Sequence, residues 1–454
     1  MSIVIKIGGS NLRNSDSLLK VREVVKLYNE PVILVVSAFK GLTDSFFELV
    51  KSPAMTKDSV SEFLDGLRQR YRPVFEGHFM NSYNRSFVES ELEKRLGKLE
   101  DLLTATRLIG EMPDFLEDEI VSFGERFSSL ILSGYLKESG LDFAERMPEE
   151  IGLVTDGEYH NASVDIAKSS ASLKDALPPG RNYVLPGFYG ISPEGKTTIF
   201  GRGGSDYSAA VIAACTGSHY LDVWKDVDGF MSGDPCILGN TRQIKRLSYS
   251  EAAELSYFGA HILHPRTVEP LKGAAIPVRV FNYKRVEKGL YPYSIIEDKA
   301  YHDTTIIKSV TSTDELGTIT LRGPGVGIKP GILARVTTEL DRNRINIKSV
   351  ITTQVAISLL LDEKDLVKAM DVTGSMEIQG IDSIDSDNGL SLLAAVGEGV
   401  LDEPGIAARI FSAVAKEKIN VRLISFGSSR VAVYFLVNRK DRNHALKAIH
   451  NEFF

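Results

Sequence analysis

Gly201-Arg202-Gly203-Gly204-Ser205-Asp206 joins bare backbone to an arginine and a carboxylate, directly before a helical run from Tyr207 to Cys215. Glycines let amide N–H groups approach an anion without a Cβ in the way, and the helix that follows adds a partial positive charge. An arginine there can grip a carboxylate with two hydrogen bonds, and Asp206 is placed to orient a cation or a donor. Alone, the stretch also suits an ordinary tight turn, with Asp206 as an N-cap. A second loop of the same kind changes the balance: Lys6-Ile7-Gly8-Gly9-Ser10 lies between the apolar strand Ser2 to Ile7 and the amphipathic stretch Ser17 to Tyr28. It is not a Walker A loop, because its lysine comes before the glycines. From a strand end, Lys6 would aim its ammonium across the turn, where phosphate oxygens would lie.

Composition bounds the rest. The chain has 454 residues, 43% hydrophobic and 25% charged, which suits two to four globular domains. Net charge is −7 with no basic cluster, so no nucleic-acid partner is expected. The longest apolar run, Pro31 to Phe39, is far short of a membrane span, and Met1 to Ile7 is not expected to act as a signal peptide. Two cysteines, Cys215 and Cys236, make no disulfide framework, so a cytoplasmic location is expected. No His, Cys and carboxylate cluster has metal-site spacing, so any metal should arrive on a nucleotide.

Three regions separate along the chain. Strands at 2–7 and 32–37 around a helix give the βαβ pattern of a parallel sheet. Residues 56–145 are helical in pattern. Strands return at Tyr183 to Leu185, Thr197 to Phe200, Ser218 to Trp224 and Pro277 to Phe281, with helices at 206–216, 249–258 and 266–272 between them. The expected division is an α/β domain over 1–290 with a helical insertion at about 56–145, a connector at 291–305, and two small modules at 306–388 and 389–454. The modules rest on an internal repeat. Gly323 to Arg335 realigns onto Gly397 to Arg409, and Ile345-Asn346-Ile347 onto Ile419-Asn420-Val421, at an offset of 74, with 10 of the 24 positions from 323 to 346 identical. Each copy reads as a strand, a Pro-Gly turn (Pro330-Gly331; Pro404-Gly405), a helix and two strands (345–351 and 355–361; 419–425 and 430–437), a ferredoxin-like core.

In order and spacing, several stretches make the whole chain resemble a monofunctional aspartokinase, an amino-acid-kinase domain followed by two ACT domains. They are Lys6 to Ser10, Val35-Val-Ser37-Ala with Gly41-Leu-Thr43, Ser122 to Ser129, Gly187 to Gly190, Phe200 to Asp206, Trp224 to Gly229 and Glu254 to Thr267. The resemblance implies a three-layer, carbamate-kinase-like α/β domain with a helical insertion, then two βαββαβ ACT domains. The stretch from Val437 to Phe454 is similar to the regulatory part of fused aspartokinase–homoserine dehydrogenases, but the chain stops where a dehydrogenase would begin, so no hydride transfer is expected. The implied reaction is MgATP-dependent phosphorylation of the L-aspartate side-chain carboxylate to 4-phospho-L-aspartate, the first step toward lysine, threonine and methionine.

The resemblance also implies roles, position by position. Lys6 would bridge the transferring phosphoryl and Asp206 would hold Lys6. Arg202, with Gly203, Gly204 and Ser205, would take the substrate's carboxylate, Glu125 its ammonium, and Ser37 and Thr43 would line the same pocket. Gly8, Gly9, Ser10, Lys225, Asp226 and His261 would border ATP, with Mg2+ carried by the nucleotide. Gly331, Asn346, Ile347, Gly405, Asn420 and Val421 are candidates for an amino-acid effector site at the ACT modules. A homodimer or a dimer of dimers is implied. Each position also has a plainer use: a salt-bridged helix glutamate at 125, a cap at Thr43, turn formers at Asp226 and Asp228.

Departures from the family pattern cluster. Lys225, Met231, Ser232, Cys236 and His261 replace the usual Thr, Tyr, Thr, Arg and Lys, so altered ATP affinity or purine preference is expected. Gln354 and Arg430 replace the repeats' usual glutamates, so the usual lysine or threonine feedback is not assumed. Two alternatives stay open: a same-fold kinase of another amino acid, and a catalytically weak amino-acid-sensing subunit.

Overall fold

The computed structural model describes residues 2–52, 55–257, 262–298 and 306–454. These fall into two units. One holds 2–230, 243–257 and 262–298; the other holds 306–454 and also 231–242, which the chain visits between Phe230 and Gln243.

The first unit starts with β1 (Ile3–Ile7), α1 (Asp16–Lys26) and β2 (Val32–Val36). Both strands are buried along their whole length, as near-continuous Val/Ile/Leu runs covered on two faces should be. The helical insertion follows α2 (Leu42–Val50) as α3 (Lys57–His78), α4 (Ser82–Ile109) and α5 (Asp114–Glu138). A reciprocal cap between Thr56 and Ser59 opens α3, and Val60, Leu64, Leu67, Tyr71, Val74 and Phe75 form its inward stripe. α5 is different: every residue from Ile120 to Leu136 is buried, so it is a core helix, and Glu125 lies in its middle. Then come β3 (Phe143–Glu145), α6 (Pro148–Ile151), α7 (Ile166–Ala176), β4 (Asn182–Pro186) and a short hairpin of β5 (Tyr189–Ile191) with β6 (Thr197–Ile199). α8 (Gly204–Thr216), β7 (Leu221–Lys225), β8 (Arg246–Ser248), α9 (Tyr249–Tyr257), α10 (Pro265–Ala274), β9 (Val278–Asn282) and β10 (Ser294–Glu297) complete the unit. The small residues Ala209, Ala210 and Ala213 let α8 pack closely, and all three are fully buried.

Among the described residues the main sheet runs β3-β4-β2-β1-β7-β9-β10-β8. Every neighbouring pair is parallel except β9 with β10. The loops after β1, β2, β4 and β7 therefore emerge on one side, where open α/β sheets bind ligands. The stretch read as a connector contains β10, which belongs to this sheet.

The second unit is one antiparallel sheet, ordered β12 (Ile347–Thr352), β13 (Ala356–Asp362), β11 (Ser309–Arg322), β14 (Ser383–Val396), β16 (Ala432–Asn438), β15 (Leu423–Ser425). α11 (Ile332–Arg342) and α12 (Leu366–Gly374) cover one apolar core, and α13 (Ile406–Lys416) and α14 (Arg442–Phe453) cover another. The cores share strands. Val310 on β11 packs in the core of α13 and α14, while Ile319 and Leu321 on the same strand pack with α11 and α12. β11 and β14 pair from Ser309↔Val396 to Arg322↔Ser383, with irregularities between Thr313 and Thr318. The boundary expected between 388 and 389 falls inside β14. Within this unit Leu238 joins the core of α13 and α14, and Ser232 Oγ lies 2.9 Å from Nε2 of the fully buried His450.

Candidate active site

Lys6 is the next-to-last residue of β1 and is buried. The chain then turns through Gly8 and Gly9. A Cβ on Gly9 would stand 2.7 Å from the Ala38 carbonyl oxygen, so only glycine lets this bend lie against the loop after β2. Ser37 donates its N–H to Ile7 O at 3.2 Å, and Asn11 Nδ2 donates to Trp224 O at 2.8 Å, tying the bend to the ends of β2 and β7.

The arginine-bearing loop enters after β6. Gly203 has φ +74° and caps α8. Any Cβ there would strike the His264 ring, 2.5 Å from Cγ. α8 then presents Ser205 and Asp206 from its first turn, near the positive end of the helix dipole. Arg202 is exposed, while Gly204, Ser205 and Asp206 are buried.

Four elements, β1, α5, α8 and β7, meet here. Lys6 forms an ion pair with Asp206 Oδ1, and Lys225 Nζ lies 3.0 Å from Oδ2 of the same carboxylate. Ser205 Oγ donates to Glu125 Oε1 at 3.3 Å, while the buried Glu125 Oε2 has no hydrogen-bond partner among the described residues. Glu125 is 2% exposed.

Burial lowers the Lys6 ammonium to about 8, against the pull of Asp206 and aided by repulsion from Lys225. Burial alone would raise Asp206, but Lys225 and Lys6 outweigh it and hold the carboxyl at about 2. Glu125 is pushed up to about 8 by burial, with the Ala38 N–H, Ser205 and Lys6 working the other way. A buried carboxyl with one oxygen unmatched among the described residues, near enough to Lys6 to feel its charge, is suited to receiving an incoming cation such as a substrate ammonium.

The remaining expected residues divide. Ser10 stands in the bend after β1, and its carbonyl accepts from Arg13 Nε at 2.8 Å. Thr43 is half-buried in the first turn of α2. Asp226 follows Lys225; its carboxylate is 3.8 Å from Arg13 Nη2 and its carbonyl accepts from Lys284 Nζ at 3.2 Å. His261 lies outside the described residues. Gly331 and Gly405 open α11 and α13 with φ +89° and +88°, so the repeat is exact at its two turns. Asn346 and Ile347 adjoin β12 while Asn420 and Val421 precede β15, which are the opposite edges of the sheet. The two candidate effector sets are therefore not one cluster within a single chain.

Two contributors escaped the sequence reading. One is the grip of Lys225 on Asp206. The other is the pair His264 and Arg266 at the start of α10. Arg266 donates to Phe200 O at 2.9 Å, to Asn161 Oδ1 at 2.7 Å and to Ala162 O at 2.6 Å, and its guanidinium stands 4.6 Å from the Tyr207 ring. It holds the backbone immediately before Gly201. The His-Pro-Arg run was visible, but not what it would touch.

A parallel α/β sheet whose strand ends bring two lysines onto one aspartate, between two glycine bends, makes a site suited to an anionic ligand. The model of the amino acid kinase family matches residues 1–282, and the chain belongs to that family. ACT domain models match 311–372 and 393–453, so the expected class, a kinase domain followed by two ACT domains, holds. The chain is similar to the bifunctional aspartokinase/homoserine dehydrogenase of Buchnera aphidicola, 27% identical over 466 residues, covering 99% of this chain and 56% of that protein. It is also similar to aspartokinase 1, chloroplastic, of Arabidopsis thaliana, 28% identical, covering 100% of this chain and 80% of that one. The chain spans about half the length of the bifunctional relatives it matches, 56% and 50% for two of them. Among solved structures, E. coli aspartokinase III in complex with aspartate and ADP superposes with a TM-score of 0.81 at 25% identity, covering 100% of this chain and 99% of that one. The aspartate kinase of Clostridium acetobutylicum gives 0.76 at 25% identity, with all of both chains covered.

Proposed function

We propose that this chain transfers the γ-phosphoryl group of MgATP to the side-chain carboxylate of L-aspartate, releasing ADP and 4-phospho-L-aspartate. The observation that carries this reading is the meeting of Lys6 and Lys225 on Asp206 beside a buried glutamate with an unmatched oxygen. Similarity to proteins named aspartokinase, and to one solved with aspartate and ADP, supports the choice of substrates.

The chemistry suits these residues. A carboxylate is already ionised at neutral pH and needs no general base. Catalysis then rests on placing two anions head to head and neutralising the charge between them. Arg202 and the amides of Gly203 and Gly204 would take the α-carboxylate, with Ser205, Ser37 and Thr43 completing that side. Glu125 would take the ammonium on Oε2, ionising as it does so. Lys6 would face the transferring phosphoryl, positioned by Asp206. Gly8, Gly9, Ser10, Lys225 and Asp226 would border the nucleotide, whose magnesium shields the phosphates. The product is the first intermediate toward lysine, threonine and methionine in a cytoplasmic pathway. Gly331 with Asn346 and Ile347, and Gly405 with Asn420 and Val421, would serve an amino-acid effector. Because the two sets lie at opposite sheet edges, a homodimer that brings edges of two copies together is the natural arrangement.

The test is hydroxamate formation with aspartate, MgATP and hydroxylamine, alongside ADP release. Aspartyl hydroxamate is the expected product; ADP release without it, or with glutamate in place of aspartate, overturns the reading. Substituting GTP in the same assay measures purine preference.

A further inference from the structure

Two ammonium groups share one carboxylate in this site. Lys6 comes from β1 and Lys225 from the end of β7, the parallel neighbour of β1, with Lys6 opposite Val223 in the register. Each holds a different oxygen of Asp206, which α8 delivers from its first turn. The three groups differ in exposure: the side chains of Lys6 and Asp206 are closed off, whereas that of Lys225 keeps 14% of its surface open.

A carboxylate whose task was to position Lys6 would need one ammonium, not two. Adding a second, mostly buried, costs desolvation and brings like charges together. With Glu125 protonated, two cations share a single negative charge and leave a surplus of one positive charge. That surplus stands beside the amide-rich bend of Gly8 and Gly9, at strand ends where anionic ligands dock. An arrangement that is unfavourable in the empty protein becomes favourable when a polyphosphate anion enters.

We propose that Lys225 is a second catalytic cation of this site, anchored by Asp206 until a nucleoside triphosphate arrives and then facing the phosphate oxygens together with Lys6. This rests on the phosphotransfer reading above and deepens it, giving Lys225, there only a neighbour of the nucleotide, a part in the transfer itself. Lys225 also tunes its partner, because its repulsion helps to lower the Lys6 ammonium. The activity needs protonated Lys6, so rate is lost as pH rises through the Lys6 value, and removing Lys225 moves that loss to higher pH.

The experiment compares wild type with Lys225→Met and Lys225→Arg. Calorimetry reads the affinity for magnesium with a non-hydrolysable ATP analogue, and steady-state kinetics read kcat and both KM values from pH 6 to 10. Lys225→Met is expected to weaken the analogue by roughly tenfold or more, to lower kcat/KM for ATP while leaving KM for aspartate nearly unchanged, and to shift the alkaline limb upward. Lys225→Arg should recover most of the binding. Wild-type affinity in Lys225→Met, or an unmoved alkaline limb despite a loss of rate, overturns the proposal and leaves Lys225 a structural partner of Asp206. If wild type binds the analogue but forms no hydroxamate, the phosphotransfer reading falls, and the analogue affinity of Lys225→Met alone decides whether Lys225 faces the triphosphate. Binding of no analogue by wild type overturns both.

Discussion

At the scale of single residues, the site is defined by charges whose ordinary ionisation has been moved. Burial raises Glu125 to about 8 and lowers Lys6 to about 8, and the two interact. In the proposed reaction, capture of a substrate ammonium needs Glu125 ionised, which is lost as pH falls through its value. Phosphoryl transfer needs Lys6 protonated, which is lost as pH rises through its own. The free-enzyme profile, kcat/KM for aspartate, should therefore be a narrow bell centred near pH 8, with limbs that belong to the pair. Glu125→Gln should flatten the acid limb and raise KM for aspartate by roughly tenfold or more, the loss of one buried charge-assisted contact, with little effect on triphosphate affinity. A broad plateau from pH 6 to 9 in wild type would contradict this. Much of this was legible: Lys6, Glu125 and Asp206 each stand in a motif, and their order suggested one site. The Lys225 contact was not, because it depends on β7 lying next to β1, and strand order is not written in local sequence. The same holds for His264, which meets Gly203 although 61 residues separate them.

Among the elements, the parallel strands were the easiest to read, since runs such as Val32 to Val36 are apolar throughout. β3, β8 and β10 were harder, being short strands near or at the sheet's ends whose pairing comes from tertiary neighbours. α14 shows another interaction that sequence could not announce. Its His450 is fully buried against Ser232, and burial with nearby Arg242 holds the imidazole below its ordinary value. The unfolded chain takes up a proton near pH 6.5 that the folded chain refuses, so this contribution is complete above that pH and is lost as pH falls below it. Melting temperature should fall between pH 7.5 and 5.5, and His450→Gln, which keeps a donor toward Ser232, should show a smaller fall. An equal fall in both proteins would remove His450 from the cause.

For the whole molecule, the offset of 74 announced a duplicated module, and both copies appear with matching turns at Gly331 and Gly405. What repetition did not reveal is how the copies are interleaved, because an alignment compares segments and says nothing of which strands pair. Pairing through sheet edges predicts a particle of twice the 49.9 kDa chain mass by light scattering; a monomer at micromolar concentration would count against it. β11 and β14 each run through both halves of the antiparallel sheet, lending residues to two cores. Excising either ACT copy as an autonomous fragment would sever a strand the other needs, so a gene split or protease nick within 383–396 should unravel both copies together.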